Sequence, residues 1–410
     1  MLGDFVPLGE FLDGFRRMKN VTLLGIGPVS TNTVVAALLT AAERDFPLFL
    51  IASRNQVDRE ELGGGYLSGW DQQGFVDGVR KLTGIHGCPR AVYFCRDHGG
   101  PWQRDMELDG KIAHDEAMEL CRTSFLADLQ AGFDLLHIDP TKNPFLEKGE
   151  KGMNTVIRDT ADLIAWLEKE RKSRALPEVV YEVGTEDIRG GLTPPGRFRD
   201  FLTVLKKKLQ AESLPMPDFI VGQTGTLVKL DGNYGVFNPG TARELADIAR
   251  ENGCFLKEHN ADYLDGETLK MHPFLGISSA NAAPEFGVAE TKSLLRLSHE
   301  ASPGKDFRGT LTELVFSENR WRKWLPENLK NVPSHDFRKD PALTGRIVSS
   351  CGHYYLDRPE ILQLKEKIFQ EVSGKDVPDP EKEVMDSIRE SILRYVNAFN
   401  LTDLNRRKIT

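Results

Sequence analysis

Asp97 and His98 stand side by side where an apolar run, residues 91–95, gives way to Gly99, Gly100 and Pro101. A carboxylate beside an imidazole can hold a divalent cation and move a proton next to it. Similar groups follow the other short apolar runs. Run 134–138 carries His137 and ends at Asp139, and run 179–183 carries Glu182 and leads into Thr185 and Glu186. Run 46–51 is followed by Ser53, Asn55 and Gln56, and run 219–221 by Gln223. Run 254–256 leads into Glu258, His259 and Asn260, and run 274–277 into Ser278, Ser279 and Asn281. His98, His259 and one further carboxylate or amide would make a three-ligand divalent site with an open position, as catalytic Zn2+ requires. Asp97 would stand beside the ion to move a proton. Such a centre polarises a carbonyl and stabilises an enolate, which serves retro-aldol cleavage and epimerisation alike. Lys257 is the one lysine near a strand core. A Schiff-base mechanism through it ranks below the metal, and pairing with Glu258 is its structural alternative.

Those residues can meet only if the runs end on one rim. Eight β-rich runs, counting 21–26, alternate with helical patterns at 32–44, 115–131, 156–172, 195–210, 241–251 and 284–298. Eight buried strands followed by helices predict a TIM (β/α)8 barrel, whose functional groups collect at the C-terminal strand ends. A doubly wound sheet is the alternative, but LGIGPVSTN lacks the spacing of a dinucleotide-binding GxGxxG. Residues 1–300 are assigned to the barrel and 301–410 to a helical extension packed on it. Within that extension the pattern predicts a helix over 311–325, with Trp321 and Trp324 on one face.

Composition narrows the class. The 410 residues carry a net charge of −8 and no basic block, which argues against nucleic acid as a partner. Five cysteines, at 88, 95, 121, 254 and 351, form no CxxC and suit a reducing compartment. No apolar run reaches the roughly 20 residues of a membrane span, and the N-terminus lacks a basic segment, so a cytoplasmic protein is expected.

The motifs resemble a known family. SRNQVDREELGGGYLSGW is similar to its S-NQVD…GGYTGM loop, RDHGGPW to GDHLGPN, LLHIDPTKN to KIHLDCS, YEVGTED to YVIGTEV, VGQTGT to V-QPG and KEHNADYL to EAHSTDYQ. The family is the accessory, non-catalytic subunit of class II tagatose-bisphosphate aldolase, with related sugar-phosphate 4-epimerases. The likeness runs from about residue 20 to 300 and resumes at GHYYLDRPEI. It implies a class II aldolase-type barrel with a divalent metal, acting on a sugar or sugar phosphate. It also allows a catalytically silent subunit that stabilises a separate aldolase, or a homo-oligomer.

Carried over, Asp97 is the catalytic acid–base and His98 a metal ligand. Glu186 falls at a second ligand position, His259 is the family's histidine, and Gln223 stands where catalytic aldolases have histidine. The site expected is thus catalytic Asp97, Glu182 and Asp139; metal ligands His98, Glu186, His259 and Gln223; and substrate contacts Ser53, Asn55, Gln56, His137, Ser278, Ser279 and Asn281. Two stretches depart from the family. VSSCGHYYL stands where the family has SDRIRYYW with its arginine, and SSANAAPEFG replaces VGPALTFA. A substrate with at most one phosphate is therefore expected, with Arg54 and Lys142 the rim-loop cations in reach.

Overall fold

A computed structural model describes residues 6–86, 89–184, 191–330, 332–373 and 377–407. Eight parallel strands close into one barrel in sequence order. They are β1 (Leu23–Ile26), β2 (Leu48–Ser53), β3 (Val92–Gly99), β4 (Leu135–Ile138), β5 (Val180–Gly184), β6 (Phe219–Val221), β7 (Phe255–Glu258) and β8 (Ile277–Ala282). The TIM barrel expected from the alternating pattern is the fold. Buried parallel strands read as short apolar runs because both faces are covered, one by the barrel interior and one by helices.

The last strand corrects the sequence reading. Phe274 belongs to the helix Gly266–Leu275, and Gly276, with φ +82°, turns the chain out of it. The apolar segment 274–277 therefore straddles a helix end, and the strand itself is the small, polar ISSANA. Ser278, Ser279 and Asn281 lie within β8, not after it. Because strand side chains alternate, Ser279 and Asn281 share one face and Ser278 takes the other.

The floor of the barrel is closed by the helix Leu8–Phe15. Its Phe11 meets Phe49 and Tyr93, and its Phe15 meets Phe255. Outside β3, the buried guanidinium of Arg96 forms a two-pronged pair with Asp128, at 2.5 and 2.8 Å. Arg54 is likewise enclosed, bonded to Asp58 and Glu107. It ties the β2 loop to the β3 loop and presents no charge to the rim.

Beyond the barrel the extension is helical. The helix expected at 311–325 is broken: an α-helix ends at Ser317, and Asn319–Trp324 form a 3-10 turn. Trp321 is buried against Phe316 and Phe337, while Trp324 donates to the Tyr354 hydroxyl at 2.9 Å. The helix Pro380–Ala398 packs against the helices Thr31–Arg44 and Pro284–Leu297. Tyr395 from it donates to the Ala261 carbonyl at 3.2 Å, which docks the tail against the loop after β7. Cys95, Cys121, Cys254 and Cys351 are buried and unbridged, and Cys88 lies outside the described residues. No described helix is long and apolar enough to cross a membrane.

Candidate functional site

The C-terminal mouth of the barrel holds a cavity of about 280 Å³, lined by strand ends, the β2 loop and the tail. At its base Asp97, His98, His137 and His259 present ligand atoms all within 4.8 Å of one another. Neighbouring residues on a strand normally face opposite ways. Here His98 has φ +45° and the β3–β4 register shifts beyond Arg96, so Asp97 and His98 both reach the cavity. A left-handed backbone at a residue other than glycine costs free energy and marks a site where position matters more than ease of folding.

Two closed carboxylates set the imidazoles. Asp139, after β4, accepts from His98 Nδ1 at 3.0 Å, and Glu182 of β5 accepts from His259 Nε2 at 2.5 Å. Each carboxylate fixes the proton on the nitrogen it touches. The other nitrogens, His98 Nε2 and His259 Nδ1, then carry lone pairs and face each other 3.2 Å apart. Two ligands at about 2.0–2.1 Å in tetrahedral geometry around zinc stand about 3.3–3.4 Å apart. Opposed lone pairs at this spacing call for a cation or a proton between them. The donor set therefore fits a divalent ion on its own geometry.

Electrostatics agree. Burial pushes His98 toward neutrality, but Asp97 and the Asp139 hydrogen bond outweigh it and raise its affinity for positive charge. Burial brings His137 and His259 down to about 3, so both are neutral imidazoles; His137 Nδ1 accepts from the His98 backbone N–H at 3.1 Å. Burial also works against ionisation of Asp139, yet the His98 hydrogen bond and the nearby imidazoles hold its carboxyl far below the usual range. Lys257 points into the barrel beneath the site and donates to Glu182 at 2.6 Å. The expected partner, Glu258, faces the other way and is bound by Thr224, Thr226 and His272.

Of the three carboxylates expected to be catalytic, only Asp97 is partly open, with 15% of its side chain exposed against 1% for Glu182 and Asp139. Asn281 donates to Asp97 Oδ1 at 3.1 Å, leaving Oδ2 for a proton. Glu182 and Asp139 stand behind the histidines. His137, expected to touch substrate, is buried beneath the cavity in the cluster with Asp97, His98 and His259 and is not among the residues lining it. Gln223 is buried just after β6 and is not among the residues lining the cavity, and Glu186 lies outside the described residues. Ser53, Asn55, Gln56 and Asn281 line the cavity, whereas Ser278 and Ser279 do not.

Gly25 makes the Asn281 contact possible. A Cβ on Gly25 would come within 2.2 Å of Asn281 Oδ1. Gly25→Ala should displace Asn281 from Asp97 and cut turnover by roughly 10-fold to 10²-fold, since misplacing a catalytic group by about 1 Å has that effect. Steady-state kinetics with circular dichroism as a fold control checks this.

Asp262 lines the same cavity and was not singled out in the sequence. Its Oδ1 accepts from the backbone N–H groups of Ala283 and Glu285 at 3.0 and 2.9 Å, capping the helix Pro284–Leu297. Burial first, then the neighbouring Glu285 carboxylate, pushes Asp262 up to about 8. The folded chain therefore holds a proton that the unfolded chain releases near pH 4. Stability from this group is present at low pH and is lost as pH rises from about 4 to about 8. Asp262→Asn keeps the accepting oxygen, so its denaturation midpoint should fall less between pH 5.5 and 8.5 than the parent's. Parallel slopes would contradict the assignment.

Residues 11–205 match the family model described as D-tagatose-1,6-bisphosphate aldolase subunit GatZ/KbaZ-like. The chain is 24% identical over 371 residues to D-tagatose 6-phosphate 4-epimerase of Agrobacterium fabrum, covering 84% of this chain and 82% of that protein. The family resemblance holds. Among solved structures, a probable tagatose 6 phosphate kinase from Sinorhizobium meliloti superposes with TM-score 0.71 at 20% identity, over 92% of this chain and 100% of the other. The fructuronate-tagaturonate epimerase UxaE from Cohnella laeviribosi superposes with TM-score 0.57 at 13% identity, over 93% and 82%. These two likenesses are of fold.

The signals that sequence reasoning missed are of two kinds. His137 was visible as a strand-end histidine, but its place in the cluster with Asp97, His98 and His259 depends on which neighbours share the barrel interior. Lys229, Arg320 and Lys323 also line the cavity, from a hairpin and the tail, where only Arg54 and Lys142 were expected near substrate.

Proposed function

We propose that this chain is a divalent-metal-dependent ketose 4-epimerase of tagatose-type sugars, working by retro-aldol and aldol steps. The observation that carries the reading is the pair of opposed lone pairs on His98 Nε2 and His259 Nδ1, set beside the partly open Asp97 in one cavity. His98, His137 and His259 would hold the ion, whose chemistry when bound is Lewis-acid polarisation of the substrate carbonyl.

In a 2-ketose the hydroxyl β to the carbonyl is on C4. Asp97 takes the proton from that hydroxyl as the C3–C4 bond breaks, and the electron pair passes to the C2 oxygen. An enediolate and an aldehyde result. When the aldehyde turns over and the bond re-forms on its other face, Asp97 returns the proton and C4 is inverted. Asn281 holds Asp97 in place, and Asp139 and Glu182 keep the imidazoles in one tautomer. Ser53, Asn55 and Gln56 supply polar contacts for sugar hydroxyls.

The 4-epimerase relative, matched over 84% of the chain, favours inversion over net cleavage. A silent accessory subunit would not need two buried carboxylates to orient opposed imidazoles, since buried ionised groups cost stability. The test is to supply tagatose and tagatose 6-phosphate with Zn2+ or Mn2+ and follow the sugars by NMR. Conversion to the fructose counterpart is expected. Accumulating three-carbon fragments would identify an aldolase, and no turnover with either metal would contradict an enzyme of this class.

A further inference from the structure

Inversion at C4 makes a demand that cleavage alone does not. When the aldehyde turns to offer its other face, its oxygen swings to the opposite side of the enediolate. A carboxylate that met the oxygen before the turn no longer faces it afterwards. Asp97 lies in β3, and β7 is four places away in either direction round the closed barrel. The loop after β7 therefore looks at Asp97 from the opposite wall, and Asp262 in that loop lines the same cavity.

The two oxygens of Asp262 differ. Oδ1 is pinned to the wall by the N–H groups of Ala283 and Glu285 at 3.0 and 2.9 Å. Oδ2 has no hydrogen-bond partner among the described residues and is the oxygen left to face the cavity, although the residue is only 2% exposed. Asn281 ties the two carboxyls to one frame. Its side chain donates to Asp97 at 3.1 Å, and its carbonyl accepts from the N–H of Ala261, next to Asp262, at 3.2 Å. Behind Asp262 stands Glu285. It accepts from the Tyr263 N–H at 2.6 Å, from the Ser391 hydroxyl at 3.1 Å, and from Arg394 and Tyr395. Four donors suit a carboxylate there. Burial, and then that carboxylate, push Asp262 up to about 8, so it carries a proton at neutral pH.

We propose that Asp262 is the second acid–base group of the reaction and serves the C4 oxygen on the side opposite Asp97. This rests on the epimerase reading above and adds a catalytic residue to it. Asp97 takes the C4 hydroxyl proton as the C3–C4 bond breaks, and the aldehyde then turns its oxygen toward Asp262. As the bond re-forms, the enediolate electron pair attacks C4, the carbonyl pair moves onto the oxygen, and Asp262 Oδ2 gives that oxygen its proton. The proton on Asp97 passes to Asp262 through cavity solvent. Its return thus goes by way of Asp262, both carboxyls are reset, and no proton is gained or lost.

The test compares the two epimers one at a time. Asp262→Asn keeps the oxygen that caps the helix, and asparagine is itself a good cap, so the fold should stand. Chains loaded with Zn2+ are mixed in excess with tagatose 6-phosphate or with fructose 6-phosphate, quenched after one turnover, and assayed for three-carbon fragments and for the inverted sugar. Inversion should fall about 10²-fold in both directions, the usual scale for an acid–base group. Cleavage should survive for one epimer in Asp262→Asn and for the other epimer in Asp97→Asn. A merely structural role would lower both epimers alike. Inversion at the parent rate in Asp262→Asn, or equal loss of cleavage for both epimers, would overturn the proposal and leave the epimerase reading standing. A parent that inverts neither sugar would instead overturn that reading, and this proposal with it.

Discussion

Asp97→Asn lowers turnover by about 10²-fold or more while the barrel and its ligand group stay folded. That is the usual scale for a general acid–base group. The amide is nearly the same size and can still meet Asn281, so packing around the 3.1 Å contact should survive. What is lost is the ability to take and return a proton at the C4 hydroxyl. The effect should fall on kcat more than on KM, because the proton moves only as the bond breaks. Full activity in the variant would make Asp97 a ligand or a cap and leave the proton without a carrier.

His98→Ala has the larger effect, because it removes half of the opposed nitrogen pair. Turnover should drop roughly 10³-fold, the several kcal/mol that Lewis-acid stabilisation supplies. Glu182→Gln gives a graded comparison. It leaves His259 in place but removes the carboxylate that fixes its tautomer, and 10-fold to 10²-fold weaker metal affinity is expected for such a partner. If the two variants behaved alike, the separation into ligands and positioning carboxylates would be wrong.

Most of the scaffold was legible in the chain. Buried parallel strands announce themselves as apolar runs, and the polar residue after each run marks the rim. Asp97, His98 and His259 could be placed at one mouth on that basis. Strand eight was misplaced because Phe274 and Leu275 close a helix and the strand is built of serine and alanine. The β-propensity signal there is weak.

Which of the rim groups would touch was not legible. The inward set depends on strand phase and on the left-handed turn at His98, so His137 could not be separated from a substrate contact. Glu182 and Asp139 look like Asp97 in the sequence, and only burial divides the open carboxylate from the two that hold imidazoles. Arg320 and Lys323 follow β3 by more than two hundred residues, and only tail packing brings them to the mouth. Arg54 shows the converse. It read as a rim cation, but Asp58 and Glu107 lock it inside.

The central claim is that His98, His137 and His259 hold a divalent ion. Elemental analysis of the purified chain after incubation with Zn2+ and exhaustive desalting tests it most directly, with a His98→Ala, His259→Ala variant treated in parallel. One tightly held ion per parent chain is predicted, and none in the variant, with circular dichroism unchanged between the two. A parent chain that retains no ion, or a variant that retains it equally, would contradict the account.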